Sequence, residues 1–102
     1  MTIPSLALLA AEVIDSLGGT EGGLADRVMT WSINGRAFAA LGPLGIEIRL
    51  DPPIAAAATR TPDTGPSPRG PEWVRFNPRE MDGHAADRLR AWLELAHRRA
   101  GS

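Results

Sequence analysis

The amino-acid sequence predicts one α+β domain over residues 1–102, with a four-stranded, mostly antiparallel sheet and the N- and C-terminal helices packed on it. The length leaves room for a single domain. Apolar residues recur at helical spacing in the first and last segments, whereas segments between them alternate apolar and polar residues as strands do. An Asn-Gly pair between two alternating segments is the strongest short signal of a β-hairpin.

The first and last segments are the predicted helices. The first covers residues 4–17, because Pro is favoured at the first helical position and Gly18 can end the helix in a left-handed conformation. The last covers residues 83–100 behind an Asp82 cap, and its final two arginines suit the negative end of the helix dipole. The apolar stripes are Leu6, Leu9, Ala10, Val13 and Leu17 in the first helix and Ala85, Ala86, Leu89, Trp92, Leu93 and Ala96 in the last.

Residues 28–41 are the predicted hairpin. Asn34 and Gly35 form its two-residue turn, because both central positions of a type I′ turn have positive φ. A two-residue turn also fixes the register of the strands. The expected pairs are Ile33 with Arg36, Trp31 with Phe38 and Met29 with Ala40. Trp31 and Phe38 should therefore lie directly opposite each other on the buried face.

A third strand is predicted over residues 46–50, where apolar and charged residues alternate. A connection with one extra residue, and a bulge near Gly42 or Gly45, would bring its apolar side chains onto the buried face of the hairpin. The expected pairs are then Phe38 with Leu50 and Ala40 with Ile48.

Segments rich in glycine or proline are predicted to be irregular. Residues 20–25 form a loop that leads into the hairpin, and residues 61–71, with four Pro and two Gly, form a long surface loop. A short helix from an Asp51 cap to about residue 60 precedes that loop. A fourth strand over residues 72–77 follows, short and at a sheet edge because its flanking prolines cannot donate ladder hydrogen bonds.

Composition excludes several classes of function. The chain has no cysteine, which rules out disulfides, thiolate metal sites and a cysteine nucleophile. No basic residue precedes the apolar run of residues 6–11, and Glu12 and Asp15 follow it, so we expect neither a signal peptide nor a membrane span. The basic residues are eleven arginines without a lysine, a coding bias typical of GC-rich bacterial genomes. We predict a cytoplasmic bacterial protein without membrane association.

The histidines and serines form no recognisable catalytic or metal motif. His84 and His97 lie at opposite ends of the predicted last helix, roughly 20 Å apart at its rise per residue, so they cannot share a metal ion. The serines lack a nucleophile-elbow motif. We therefore predict no catalytic residue, no metal site and no cofactor.

Arginines on the predicted strands and beside the proline-rich segment are the candidates for a binding site. If neighbouring strands bring their side chains together, they could form an anion-binding or ligand-binding patch. The alternative is that they are solvated charges paired with acids such as Glu47, Asp51 and Glu72. The candidate residues are Arg36, Arg49, Arg69 and Arg75.

Four segments resemble a known group of bacterial proteins. They are Asn-Gly-Arg-Ala-Phe-Ala at residues 34–39, Ile-Glu-Ile-Arg-Leu at 46–50, Glu-Trp-Val-Arg-Phe at 72–76 and Trp-Leu-Glu-Leu-Ala-His-Arg at 92–98. In this order they resemble the MmcQ/YjbR-like proteins of unknown function and, more closely, the related domain called "luciferase family". The resemblance implies one sheet with packed helices and carries no catalytic residues with it.

Three functional hypotheses follow. The first is a non-enzymatic cytoplasmic binding or interaction module, whose partner, either another protein or a second copy of the chain, the sequence does not identify. The second is nucleic-acid or anion binding through the strand arginines. Nucleic acid is the weaker form, because twelve acids interleave with eleven arginines and the net charge is −1. The third is an enzyme acting on a small anionic substrate beside the proline-rich segment.

Overall fold

The computed structural model describes residues 4–102, which form three helices and a single antiparallel sheet of six strands. The elements in chain order are α1 (Leu6–Leu17), β1 (Glu21–Ala25), β2 (Val28–Ile33), β3 (Arg36–Gly42), β4 (Gly45–Arg49), α2 (Pro52–Ala58), β5 (Thr64–Ser67), β6 (Gly70–Phe76) and α3 (Gly83–Ala100). The strand order across the sheet is β1-β2-β3-β4-β6-β5. The predicted α+β class is confirmed, but the sheet has six strands rather than four.

Two strands form where loops were expected. The predicted loop over residues 20–25 is wrong, because β1 pairs with β2 through a two-residue turn at Asp26 and Arg27, both with positive φ. The predicted irregular loop over residues 61–71 is also wrong, because it contains β5, which pairs with β6. Both strands contain glycine or proline and little apolar alternation. Backbone hydrogen bonds hold both strands to the sheet, and amino-acid composition does not reveal such bonds.

The added β5 also changes the position of β6. The strand expected over residues 72–77 runs from Gly70 to Phe76 and lies between β4 and β5. The predicted edge position is therefore wrong. Pro71 is accommodated because it lies beyond the last residue that pairs with β4 and beside the irregularity in the β5–β6 ladder.

The hairpin of β2 and β3 has the predicted turn but not the predicted register. Asn34 and Gly35 have positive φ, and Ile33 pairs with Arg36 as expected. A bulge then shifts the ladder, so that Trp31 lies opposite Ala39 rather than Phe38. Met29 accordingly pairs with Leu41 and not with Ala40. Trp31 and Phe38 nevertheless both join the hydrophobic core, because a bulge places two successive residues opposite one.

The connection from β3 to β4 has no extra residue. Leu41 pairs with Ile46 and Gly42 with Gly45, so the predicted bulge near Gly42 or Gly45 and the predicted pairs with Leu50 and Ile48 are wrong. The change of register that brings the apolar side chains of β2, β3 and β4 onto one face occurs instead at Phe38. Once it has occurred, Ile46 and Ile48 face the core in the ordinary register.

α3 packs on one face of this sheet, and α1 packs mainly against α3 and joins the same core. α3 begins after Asp82, whose carboxylate accepts a hydrogen bond from the Ala85 N–H at 2.8 Å, and all six residues of its predicted apolar stripe are buried. α1 begins at Leu6 rather than at Pro4, because Ser5 accepts from the Leu8 N–H and is the cap. The core between helices and sheet is built from their apolar side chains and includes Leu9, Phe38, Ile48, Phe76, Leu89 and Leu93.

Candidate functional site

A cavity of about 210 Å³ lies where the end of α3 meets strands β3 and β4. Arg36 at the start of β3, Arg49 at the end of β4 and Arg99 in the last turn of α3 line it together with three apolar residues. The apolar lining residues are Phe38, Ala96 and Ala100. We call this site the arginine cavity. It exists because the sheet register and the small side chains of α3 leave space between three long cations.

Two carboxylates hold two of these arginines in place. Glu72 is shared, because Arg49 donates from Nε to its Oε2 at 2.9 Å and Arg99 donates from Nη2 to its Oε1 at 3.0 Å. Arg99 Nε also forms an ion pair with Asp51 Oδ1 at 2.7 Å, and Arg99 Nη1 donates to the Leu50 carbonyl at 3.3 Å. Asp51 was expected to cap the short helix α2. Within residues 4–102 its side chain caps no helical N–H, and it binds Arg99 instead.

The electrostatics of this network are set by charge-assisted hydrogen bonds. The bonds from Arg99 and then Arg49 lower the pKa of Glu72 below its ordinary value of 4.5. Glu72 therefore stays ionised at neutral pH. Among the side chains that meet here, three guanidinium groups outnumber two carboxylates.

Arg36 is the least constrained of the three cations. Its side chain is exposed, and its Nη1 donates to the backbone oxygen of Ser102 at 3.1 Å. Across the described residues it makes no ion pair within 4 Å, so its remaining N–H groups can reach a bound anion. A planar guanidinium with free donors suits carboxylate and phosphate oxygens.

The other two predicted arginines belong to a separate group, which we call the Glu47 cluster. Glu47 on β4 pairs with Arg69 at 3.2 Å and with Arg75 at 3.7 Å, and it accepts a hydrogen bond from the Ser67 hydroxyl. Arg69 also lies over the Trp73 ring, 5.3 Å from its centroid. Glu47 and Arg75 are opposite each other in the sheet, on the face away from the core residues Ile46 and Ile48.

The structure therefore brings together only part of the predicted arginine set. Arg36 and Arg49 share one cavity, whereas Arg69 and Arg75 share Glu47 in a separate cluster. Arg99 was missed, because near a helix C-terminus it resembles a residue that only balances the helix dipole. The signal that could have found it is its spacing from Ala96, which puts a small residue one turn earlier on the same helix face.

The two histidines occupy unrelated positions. His97 donates from Nε2 to the Gly18 carbonyl at 2.7 Å and packs edge-on against Phe38, with ring centroids 5.8 Å apart. It thus ties α3 to the end of α1. His84 is exposed in the first turn of α3. In residues 4–102 no cluster of three or more His, Asp or Glu side chains could hold a metal ion.

Comparison of the chain with protein-family models, with curated proteins and with solved structures finds no match. None of the helices in the described part of the chain combines the length and the apolar character needed to cross a membrane.

Proposed function

We propose that this protein is a non-enzymatic binding module that takes a small anion in the arginine cavity. The observation that supports this function is the convergence of Arg36, Arg49 and Arg99 on one small cavity. The strand arginines were a candidate anion site from the sequence. The cavity joins two of them to a third from α3.

The size and charge of the cavity favour a small ligand. About 210 Å³ lies below the range of roughly 300–1,000 Å³ that is usual for pockets of drug-sized molecules and cofactors. The apolar wall at Phe38 excludes water on one side and strengthens electrostatic attraction to the cations. Inorganic phosphate and short carboxylates fit this combination of volume and charge.

The fixed network supports binding rather than catalysis. Glu72 is the acid that Arg49 and Arg99 share, and these two arginines lower its pKa, so it is a poor proton acceptor at neutral pH. Its role is to hold Arg49 and Arg99 in one orientation. Such preorganisation reduces the entropy lost when a ligand binds.

A titration with inorganic phosphate and, separately, with acetate tests this proposal. Amide chemical shifts in nuclear magnetic resonance spectra, recorded at constant ionic strength, should change saturably around Arg36, Phe38 and Ala100. Arg36→Gln should weaken binding about tenfold or more, since it removes charge-assisted hydrogen bonds worth roughly 1.5–3 kcal/mol.

Arg90→Gln is the matched control, because it removes the same charge from an exposed position on α3. It should leave the affinity unchanged. If phosphate and acetate leave the spectrum of the wild-type protein unchanged, or if both variants lose affinity equally, the proposed site is wrong.

The nucleic-acid hypothesis has weaker support. A duplex requires cations concentrated on one surface. Here the arginines divide between the arginine cavity and the Glu47 cluster, and acids pair with Arg49, Arg69, Arg75 and Arg99. A cytoplasmic location and the resemblance to the "luciferase family" domain remain predictions from the sequence.

A further inference from the structure

β1 is an edge strand with one side unpaired. It bonds to β2 on its inner side, and no strand of the described chain lies beyond it. All five of its residues are exposed, including Leu24 at 74%. It has neither the proline nor the lysine with which edge strands often block pairing with another chain.

The register of β1 shows which backbone groups face outward. Ala25 and Val28 close a two-residue hairpin and form a hydrogen-bonded pair, so hydrogen-bonded pairs alternate along the ladder from there. Gly22 and Leu24 are in the non-hydrogen-bonded pairs, and their N–H and C=O groups point away from β2. Among the described residues, the backbone hydrogen bonds formed outside the helices and the sheet include none from Gly22 or Leu24.

The two outward-facing residues have complementary sizes. Gly22 has no side chain, and Met29 and Trp31 lean into the space that a side chain there would occupy, with Met29 Cε 2.5 Å from an added Cβ. Leu24 pairs with Met29, so it projects on the same face of the sheet. It presents an exposed apolar side chain next to that apolar surface.

We propose that β1 pairs antiparallel with β1 of a second copy of this chain, around a two-fold axis at Gly23. Gly22 then lies opposite Leu24 of the second copy, and both outward-facing residues form hydrogen-bonded pairs. The Leu24 side chain of each copy packs on the half-buried Met29 of the other, whose side chain occupies the space beside Gly22. Two copies thus make one continuous sheet of twelve strands.

The charges of β1 allow this arrangement. With the axis at Gly23, Glu21 lies opposite Ala25 and never opposite its own copy, so like charges do not meet directly. Arg27 lies two residues beyond Ala25 in the hairpin turn, within reach of Glu21 of the second copy. One such pair forms on each side of the axis.

Sedimentation velocity on the full chain tests the dimer. We expect dimer formation over a range from about 10 to about 500 µM, since small edge-to-edge interfaces are weak. Leu24→Asp should make the protein monomeric throughout. Leu44→Asp is the matched control, because Leu44 is also exposed, at 62%, and lies in the turn between β3 and β4. It should leave the dimer intact.

Cross-linking locates the axis. Because the chain lacks cysteine, Gly23→Cys introduces a single thiol. A non-hydrogen-bonded antiparallel pair has Cα atoms about 4.5 Å apart, within the range of a disulfide. Mild oxidation should therefore give a covalent dimer. Gly65→Cys on the opposite edge strand β5, where an added Cβ also meets open space, should not cross-link.

Three results would overturn the proposal. The first is a protein that stays monomeric over the whole concentration range. The second is a dimer that survives Leu24→Asp, which would place the interface elsewhere. The third is equal cross-linking of the two cysteine variants, which would indicate random collision.

Discussion

Arg99 and Glu72 lie 3.0 Å apart from Nη2 to Oε1, and this contact joins the last turn of α3 to strand β6. Arg49 Nη2 lies 2.8 Å from Oε2, the other oxygen of the same carboxylate. Glu72 therefore fixes two of the three cations that line the arginine cavity. The position of the cavity depends on an acid that does not line it.

The stability of this contact should depend on pH. A carboxyl whose pKa is lowered on folding contributes stability above its unfolded value, and this contribution is lost as the pH falls through the lowered pKa. For Glu72 the ordinary value is 4.5. Urea denaturation should show that wild type is more stable than Glu72→Gln at neutral pH, and that the difference shrinks as the pH falls below that value.

Glu94→Gln is the control, because Glu94 is exposed on α3 and outside the network. Its stability should follow that of wild type at every pH. A difference between wild type and Glu72→Gln that stays constant down to acid pH would contradict the role of the carboxylate.

Phe38→Ala should destabilise the fold by about 3–5 kcal/mol, a large part of the roughly 5–15 kcal/mol of a domain this size. Phe38 is fully buried, and its removal leaves a void beside His97. The urea midpoint measures the loss. Leu44→Ala, at an exposed position, should change stability by less than about 0.5 kcal/mol. A midpoint for Phe38→Ala close to that of wild type would mean that the bulge does not bury the ring.

Two glycines with positive φ should respond differently to alanine. A left-handed backbone costs about 1–2 kcal/mol for a residue with a side chain, and this cost applies to Gly35, where φ is 78° and an added Cβ meets nothing within 4 Å. At Gly45, φ is 113° and the Cβ would lie 2.5 Å from the Phe76 carbonyl oxygen. We expect Gly45→Ala to cost about 3–5 kcal/mol in thermal unfolding. If the two substitutions lower the free energy of unfolding equally, β6 moves away from the new methyl group at position 45.

Binding to mixed-sequence duplex DNA should be undetectable at physiological salt. Paired charges cancel each other beyond a Debye length of about 8–10 Å, and most strand arginines are paired with acids. Fluorescence anisotropy of a labelled duplex measures this, with a basic DNA-binding protein as the positive control. Saturable binding that weakens steeply with added salt would show that the arginines act together after all.

The sequence predicted those parts of the fold that depend directly on the spacing or the type of side chains. The cap and all six stripe residues of α3 are correct, because burial on a helix follows residue spacing. The hairpin turn at Asn34 and Gly35 is also correct, because positive φ restricts the choice of residue.

The wrong predictions concern features that backbone geometry determines and side-chain pattern does not. A bulge anywhere between the hairpin turn and β4 would align the apolar residues, and nothing in the sequence singles out Phe38. Gly45 suggested a bulge, but its positive φ serves the close passage of Phe76. Two of the three cations of the arginine cavity were predicted, and the third, Arg99, reaches it from a distant segment. Contacts that span such separations leave no local pattern.

The two edges of the sheet are unlike, and this difference limits how far the protein can assemble. β5 is four residues long and contains Pro66, which has no N–H to donate. A chain with two open edges could add copies end to end without limit, as fibrils do. With one edge blunted by proline, association through β1 closes at two copies. We therefore expect Pro66 to keep the proposed dimer from adding further copies through β5.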